Sequence, residues 1–170
     1  MSKVVGYVGA FYMSRYSALA FDGTGDKIVV SDDSTINFGA TDDMTLEIWF
    51  RSSADGRLFD KDDGGSPFTG YKVSVSSNNI VFEIGDGTNT SSITGSTNVN
   101  DSIWHHLVCV RDAGSNLYIY LDGSSDATAV SDTTTGTLAN GVDLGIGAVA
   151  SDASNCITGR IGEVIIYKGL

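Results

Sequence analysis

Apolar residues occur along this chain in short bursts separated by clusters of Gly, Ser, Asn and Asp, and in several bursts they alternate with polar residues. In Tyr71-Lys72-Val73-Ser74-Val75-Ser76 the odd positions are apolar and the even ones polar. That period of two is expected of a strand with one buried and one wet face. In Leu117-Tyr118-Ile119-Tyr120-Leu121 the three aliphatic side chains share one face and the two Tyr the other. The pattern predicts strands near Ala18–Asp22, Lys27–Ser31, Met44–Arg51, Arg57–Lys61, Gly70–Ser76, Ile80–Ile84, Ser91–Thr94, Ile103–Arg111, Asn116–Leu121, Val142–Gly147 and Thr158–Tyr167. Turn chemistry separates them at Ser77-Asn78-Asn79, Asp112-Ala113-Gly114-Ser115 and Asp122-Gly123. No stretch holds an i, i+3, i+4, i+7 apolar stripe long enough for a helix. About eleven short strands with hairpin spacing and no βαβ rhythm predict an all-β antiparallel sandwich or jelly roll.

Composition changes this picture little. Gly, Ser, Thr, Asn and Asp make up about half of the 170 residues, which alone would suggest disorder, but a hydrophobic share of 41% is too high for that. The length suits one domain with a full core. No apolar run approaches the roughly 18 residues of a membrane span, so no membrane insertion is expected. The start, Met1-Ser2-Lys3-Val4-Val5, lacks the apolar stretch and cleavage site of an export signal. The net charge of −11 argues against nucleic acid, whose phosphates need clustered Lys and Arg. All but three of the 21 acids are Asp, a turn and cap residue, so most of the charge is expected to punctuate loops and keep the surface soluble. The two cysteines, Cys109 in a strand pattern and Cys156 in a loop, are expected to be free thiols.

The first 16 residues differ from the rest. They hold Lys3, Arg15, no acid, and the aromatics Tyr7, Phe11, Tyr12 and Tyr16. A basic, aromatic arm ahead of an acidic body at residues 17–170 suits docking on a neighbouring subunit; the alternative is an extra strand on its own domain.

Seven segments together resemble a known family. They are Ala18-Leu19-Ala20-Phe21-Asp22-Gly23, Met44-Thr45-Leu46-Glu47-Ile48-Trp49-Phe50, Gly70-Tyr71, Ile103-Trp104-His105-His106-Leu107-Val108-Cys109-Val110-Arg111-Asp112, Leu117-Tyr118-Ile119-Tyr120-Leu121-Asp122-Gly123, Leu144-Gly145-Ile146-Gly147-Ala148 and Gly159-Arg160-Ile161-Gly162-Glu163-Val164-Ile165-Ile166-Tyr167. In that order they look like the laminin-G-like jelly roll of the concanavalin A-like lectin/glucanase superfamily, over about residues 17–170. The resemblance implies the fold; lectins, glucanases, adhesion domains and virion proteins all share it.

The residues narrow the chemistry. Retaining glucanases of this fold place two Glu on one strand about 5 Å apart. Here Glu47, Glu83 and Glu163 stand on three different predicted strands, so no enzyme is expected. Trp49 is expected in the core. His105 and His106 lack the further His that a zinc site would need, and Tyr or backbone partners are expected for them. Calcium is the cofactor to consider, since Asp-rich loops supply the oxygens it needs. The resemblance places a structural Ca²⁺ at Asp22 and the last strand, where Glu163 remains but Gly162 replaces a usual Asp. A second candidate is the loop with Asp60, Asp62 and Asp63. Tyr118 and Tyr120 would form a glycan platform if their face is exposed, or a second buried layer if it is not. A free-standing module of this type resembles bacteriophage capsid decoration (cement) or tail proteins. The expected role is therefore a non-catalytic interaction protein on a virion surface, binding other protein subunits and cell-surface or environmental glycans. The alternative is an extracellular, calcium-dependent carbohydrate-binding module.

Overall fold

The computed structural model describes residues 18–169. Numbered in chain order, one sheet holds β1 (Leu19–Asp22), β3 (Met44–Ala54), β8 (His105–Asp112), β9 (Asn116–Leu121), the two-residue β10 (Ser124–Ser125) and β11 (Val130–Ser131), and β13 (Thr158–Lys168). The other holds β2 (Ile28–Val30), β4 (Gly56–Asp62), β5 (Thr69–Ser76), β6 (Asn79–Asp86), β7 (Thr90–Thr94) and β12 (Leu144–Ile146). The first sheet runs β1-β13-β3-β8-β9-β10, with β11 also on β9; the second runs β2-β12-β4-β5-β6-β7. Every pairing is antiparallel. One 3₁₀ turn at Ser34–Ile36, capped by the Asp33 carboxylate on the Thr35 N–H, is the one helical element among the described residues. All eleven predicted strands form. The two short additions, β10 and β11, carry no apolar alternation that could have announced them.

Alternation drives the assembly. Met44, Leu46, Ile48 and Phe50 of β3 point inward, as do Leu107 and Cys109 of β8 and Leu117, Ile119 and Leu121 of β9. They meet Leu58 and Phe59 of β4, Tyr71, Val73 and Val75 of β5, and Ile80, Phe82 and Ile84 of β6 in one continuous core. Each such side chain contributes about 1.5–3 kcal/mol on burial. The β5–β6 hairpin turns on Ser77 and Asn78, both at positive φ, which is the two-residue geometry whose twist matches the strands.

β13 carries the irregularity that shapes the outer surface. Ile161 pairs with Phe50 and Val164 with Ile48, so one extra residue of β13 is bulged out between them. Before the bulge odd residues face the core; after it even ones do, and Val164 and Ile166 pack on the core while Ile165 turns to the outer side, where it is still buried.

Candidate binding face

The side chains of the first sheet that point away from the core form an aromatic surface. On β3 these are Glu47, Trp49 and Arg51. The register sets Trp49 opposite His106 of β8, Glu47 opposite Val108, Val108 opposite Tyr120 of β9, and Val110 opposite Tyr118. Trp49 is 41% exposed, Trp104 39% and Tyr120 38%. The expectation that Trp49 belongs to the core is therefore corrected. It shares parity with Glu47, while Leu46, Ile48 and Phe50 take the inward positions, and no described element covers the outer side.

The rings are held in place. The His106 imidazole stacks on Trp49 at 4.9 Å between centroids and 28° between planes. His106 Nε2 lies 2.8 Å from Glu47 Oε1, and the Tyr167 hydroxyl donates to Glu47 Oε2 at 3.1 Å. A carboxylate thus sits in the middle of the face, fixed by two neighbours. Tyr118 and Tyr120 lie with planes 19° apart and centroids at 6.3 Å. Tyr118 is half-buried and Tyr120 exposed, and among the described residues no second layer covers them. A side chain at Gly162 would meet the Trp104 ring, 3.6 Å from where its Cβ would stand.

The histidine partners differ from expectation. His105 is buried, with Nδ1 2.8 Å from Asp122 Oδ2 and Nε2 3.3 Å from Asp101 Oδ1. Carboxylates, not Tyr or backbone groups, hold both rings, because the Asp122-Gly123 turn and the Asp101 loop converge at the start of β8. Asp122 also accepts the His106 N–H, and its carboxyl lies below the usual range. Burial pushes it up, but the His106 N–H and the His105 ring outweigh that.

The residues considered for calcium are dispersed. Asp22 pairs in register with Thr158 and accepts the Thr24 N–H at 2.7 Å; Glu163 lies in the β13 bulge, beyond the Leu19–Ile161 pair. Asp62 pairs with Lys72 at 2.7 Å and accepts the Gly64 N–H. Asp63 accepts the Gly65 and Thr69 N–H groups. Asp60 has Arg57 Nε 3.0 Å away. Among the described residues no three His, Cys, Asp or Glu side chains converge as a metal site, and Asp22, Asp60, Asp62 and Asp63 each have an N–H or cationic neighbour. Both cysteines are free: Cys109 is buried, which raises its thiol pKa, and the Cys156 thiol donates to the Ala153 carbonyl. Glu47 and Glu83 lie on different sheets, Glu163 in the bulge. Tyr7, Phe11, Tyr12 and Tyr16 lie outside the described residues.

Sequence reasoning did not group Trp49, Trp104, His106 and Glu47 as one surface. The available signal was the shared parity of Glu47, Trp49 and Arg51: a carboxylate and a guanidinium flanking a Trp at i±2 put that Trp on a wet face.

Two antiparallel sheets closed over one core, with a bulged last strand beside the first, define a laminin G-type jelly roll. The laminin G model described as the concanavalin A-like lectin/glucanases superfamily matches residues 22–170, and the chain belongs to that family. No curated protein matches the chain in sequence. Among solved structures it is similar to the binding domain of Paraclostridial Mosquitocidal Protein 1, with a TM-score of 0.75 and 18% identity over 92% of this chain and 41% of that one. It is also similar to domains LG4-5 of the mouse laminin alpha1 chain, with a TM-score of 0.63 and 16% identity over 88% of this chain and 40% of that one. The botulinum neurotoxin serotype G binding domain gives a TM-score of 0.62 and 15% identity over 92% of this chain and 44% of that one. The chain thus spans less than half the length of each of these structures.

Proposed function

We propose that this domain is a non-catalytic attachment module that binds glycans through the outer aromatic face of its first sheet. The observation that carries the reading is the pair of exposed indoles, Trp49 and Trp104, set beside Tyr120 and around the fixed carboxylate of Glu47. Exposed aromatic rings offer flat apolar area for the C–H face of a sugar, and the carboxylate and imidazole supply hydrogen-bonding groups for its hydroxyls. Membership of a superfamily that includes lectins supports the same reading, as does the likeness to structures titled as binding domains.

The sequence supports a finer setting within this proposal. The module decorates a larger particle, with a virion surface or tail as the favoured site and an extracellular one as the alternative. Residues 1–16, through Tyr7, Phe11, Tyr12 and Tyr16, dock on a neighbouring subunit.

The test is a glycan array read with the wild-type chain and with Trp49→Ala. Truncating an aromatic anchor at the centre of a contact costs about 2 kcal/mol or more, so a loss of roughly 30-fold is expected on every glycan bound. An array on which the wild type binds nothing, or on which Trp49→Ala binds as well, refutes the reading.

A further inference from the structure

Arg51 of β3 and Arg160 of β13 are direct cross-strand partners. Both project from the outer side of the sheet, since Arg51 shares parity with Glu47 and Trp49 while Phe50 and Ile161 face inward. Arg160 is exposed and Arg51 half-buried. Like charges directly opposite one another in a sheet repel and destabilise it.

The other basic residues of the described region are all engaged. Arg57 lies beside Asp60, Lys61 pairs with Asp32, Lys72 with Asp62, Arg111 with Asp132 and Lys168 with Asp42, and Lys27 donates to the Ala150 carbonyl. Arg51 and Arg160 have neither a carboxylate nor a hydrogen-bond acceptor among the described residues. In a chain with 21 acids against ten basic residues, carboxylates to neutralise them are abundant. The one acid nearby on β13, Glu163, pairs with neither.

The pair also borders the aromatic face. Trp49 is two residues from Arg51 on the same side of β3. Trp104 immediately precedes β8, whose pairing with β3 ends at Phe50–His105, and its ring lies 3.6 Å from where a Cβ on Gly162, two residues after Arg160, would stand. Two guanidinium forks with no acceptor among the described residues and two exposed indoles therefore share one part of the surface. Guanidinium binds planar and tetrahedral oxyanions through paired N–H bonds, and an anion between the two arginines would remove their repulsion.

We infer that Arg51 and Arg160 form an anion-binding pair, and that the glycan bound at this face carries a carboxylate or sulfate seated on it while Trp49 and Trp104 stack on the ring. This rests on the glycan reading of the face and names the ligand class. The chain's net charge of −11 opposes anions at long range, so recognition depends on these short contacts.

The experiment is an array on which each glycan backbone appears in neutral, sialylated and sulfated form, probed with the full-length wild type and with R51Q/R160Q. The wild type is expected to favour acidic members over their neutral counterparts by at least about tenfold, one guanidinium–oxyanion contact being sufficient for that. The double variant is expected to lose the preference while still binding the neutral backbones. The sialylated and sulfated sets separate carboxylate from sulfate. The melting temperature of R51Q/R160Q is expected to equal or exceed that of the wild type, because a repulsion is removed. Equal wild-type binding of neutral and acidic members, or a preference that survives in R51Q/R160Q, overturns the inference alone. Silence of the wild type across the whole array overturns the glycan reading and this inference with it.

Discussion

Arg111 shows how one side chain ties the first sheet to the loops around it. It is fully buried, with Nε 2.8 Å from Asp132 Oδ2, Nη1 3.0 Å from both the Gly39 and Asp42 carbonyls, and Nη2 reaching the Ala40 carbonyl and the Thr134 hydroxyl. Neither member of the ion pair has exposed side-chain surface. Breaking such a pair from one side leaves an uncompensated charge in the interior, which costs about 3–5 kcal/mol. Asp132→Ala is therefore expected to lower stability by that amount in urea titration, and Asp132→Asn by less, since the amide keeps an oxygen for Thr134. A change below about 1 kcal/mol in Asp132→Ala would mean that Arg111 finds water or another acceptor. The Asp132 carboxyl is also held below the usual range: burial raises it, but the Thr134 hydroxyl and the Arg111 guanidinium outweigh that. A depressed acid contributes stability that is present above the unfolded value of 3.8 and lost as pH falls through the folded one.

At the scale of elements, β4 makes the opposite electrostatic choice. Asp60 is buried beside β12, paired in register with Gly145, at which a Cβ would collide with the Ala148 carbonyl. Burial pushes its carboxyl up to about 6 against the pull of Arg57. Between the unfolded value of 3.8 and about 6, the folded state holds more protons than the unfolded one, so this group's contribution to stability falls as pH rises through that window. Asp60→Asn is expected to remove that slope. Melting curves at pH 4, 5, 6 and 7 should show the variant gaining on the wild type as pH rises; parallel curves would place the Asp60 carboxyl in the ordinary range. The same scale explains what was legible in the sequence. The eleven strands were, because alternation and Asn, Asp or Gly turns are local. The exposure of Trp49 was not, because the apolar run Leu46–Phe50 conceals its parity unless Glu47 and Arg51 are read with it. The Arg51–Arg160 pair was not either, since strands more than a hundred residues apart in sequence had to meet in register, one residue before a bulge.

For the molecule as a whole, a single open face of a few aromatic rings binds weakly, and attachment to a surface gains strength when several copies act together. The distribution of charge provides for this. The acidic excess lies entirely in residues 17–170, while residues 1–16 contain Lys3 and Arg15 and no acid, a contrast that on the proposed assembly reading draws the arm of one copy to the body of the next. On the proposed assembly reading, the full chain at low ionic strength has a mass by light scattering well above the 17.8 kDa of one copy. On the same reading, deleting residues 1–16 returns it to one copy while removing none of the described strands, the first of which begins at Leu19. Salt separates the two forces in the arm. If its charges dominate, the oligomer dissociates as the screening length falls from about 30 Å at 0.01 M to about 3 Å at 1 M. If Tyr7, Phe11, Tyr12 and Tyr16 dominate, it survives 1 M salt and is lost when those four are replaced by Ser. A full-length chain with the mass of one copy at every salt concentration would remove the arm from the assembly reading and leave the aromatic face to act alone.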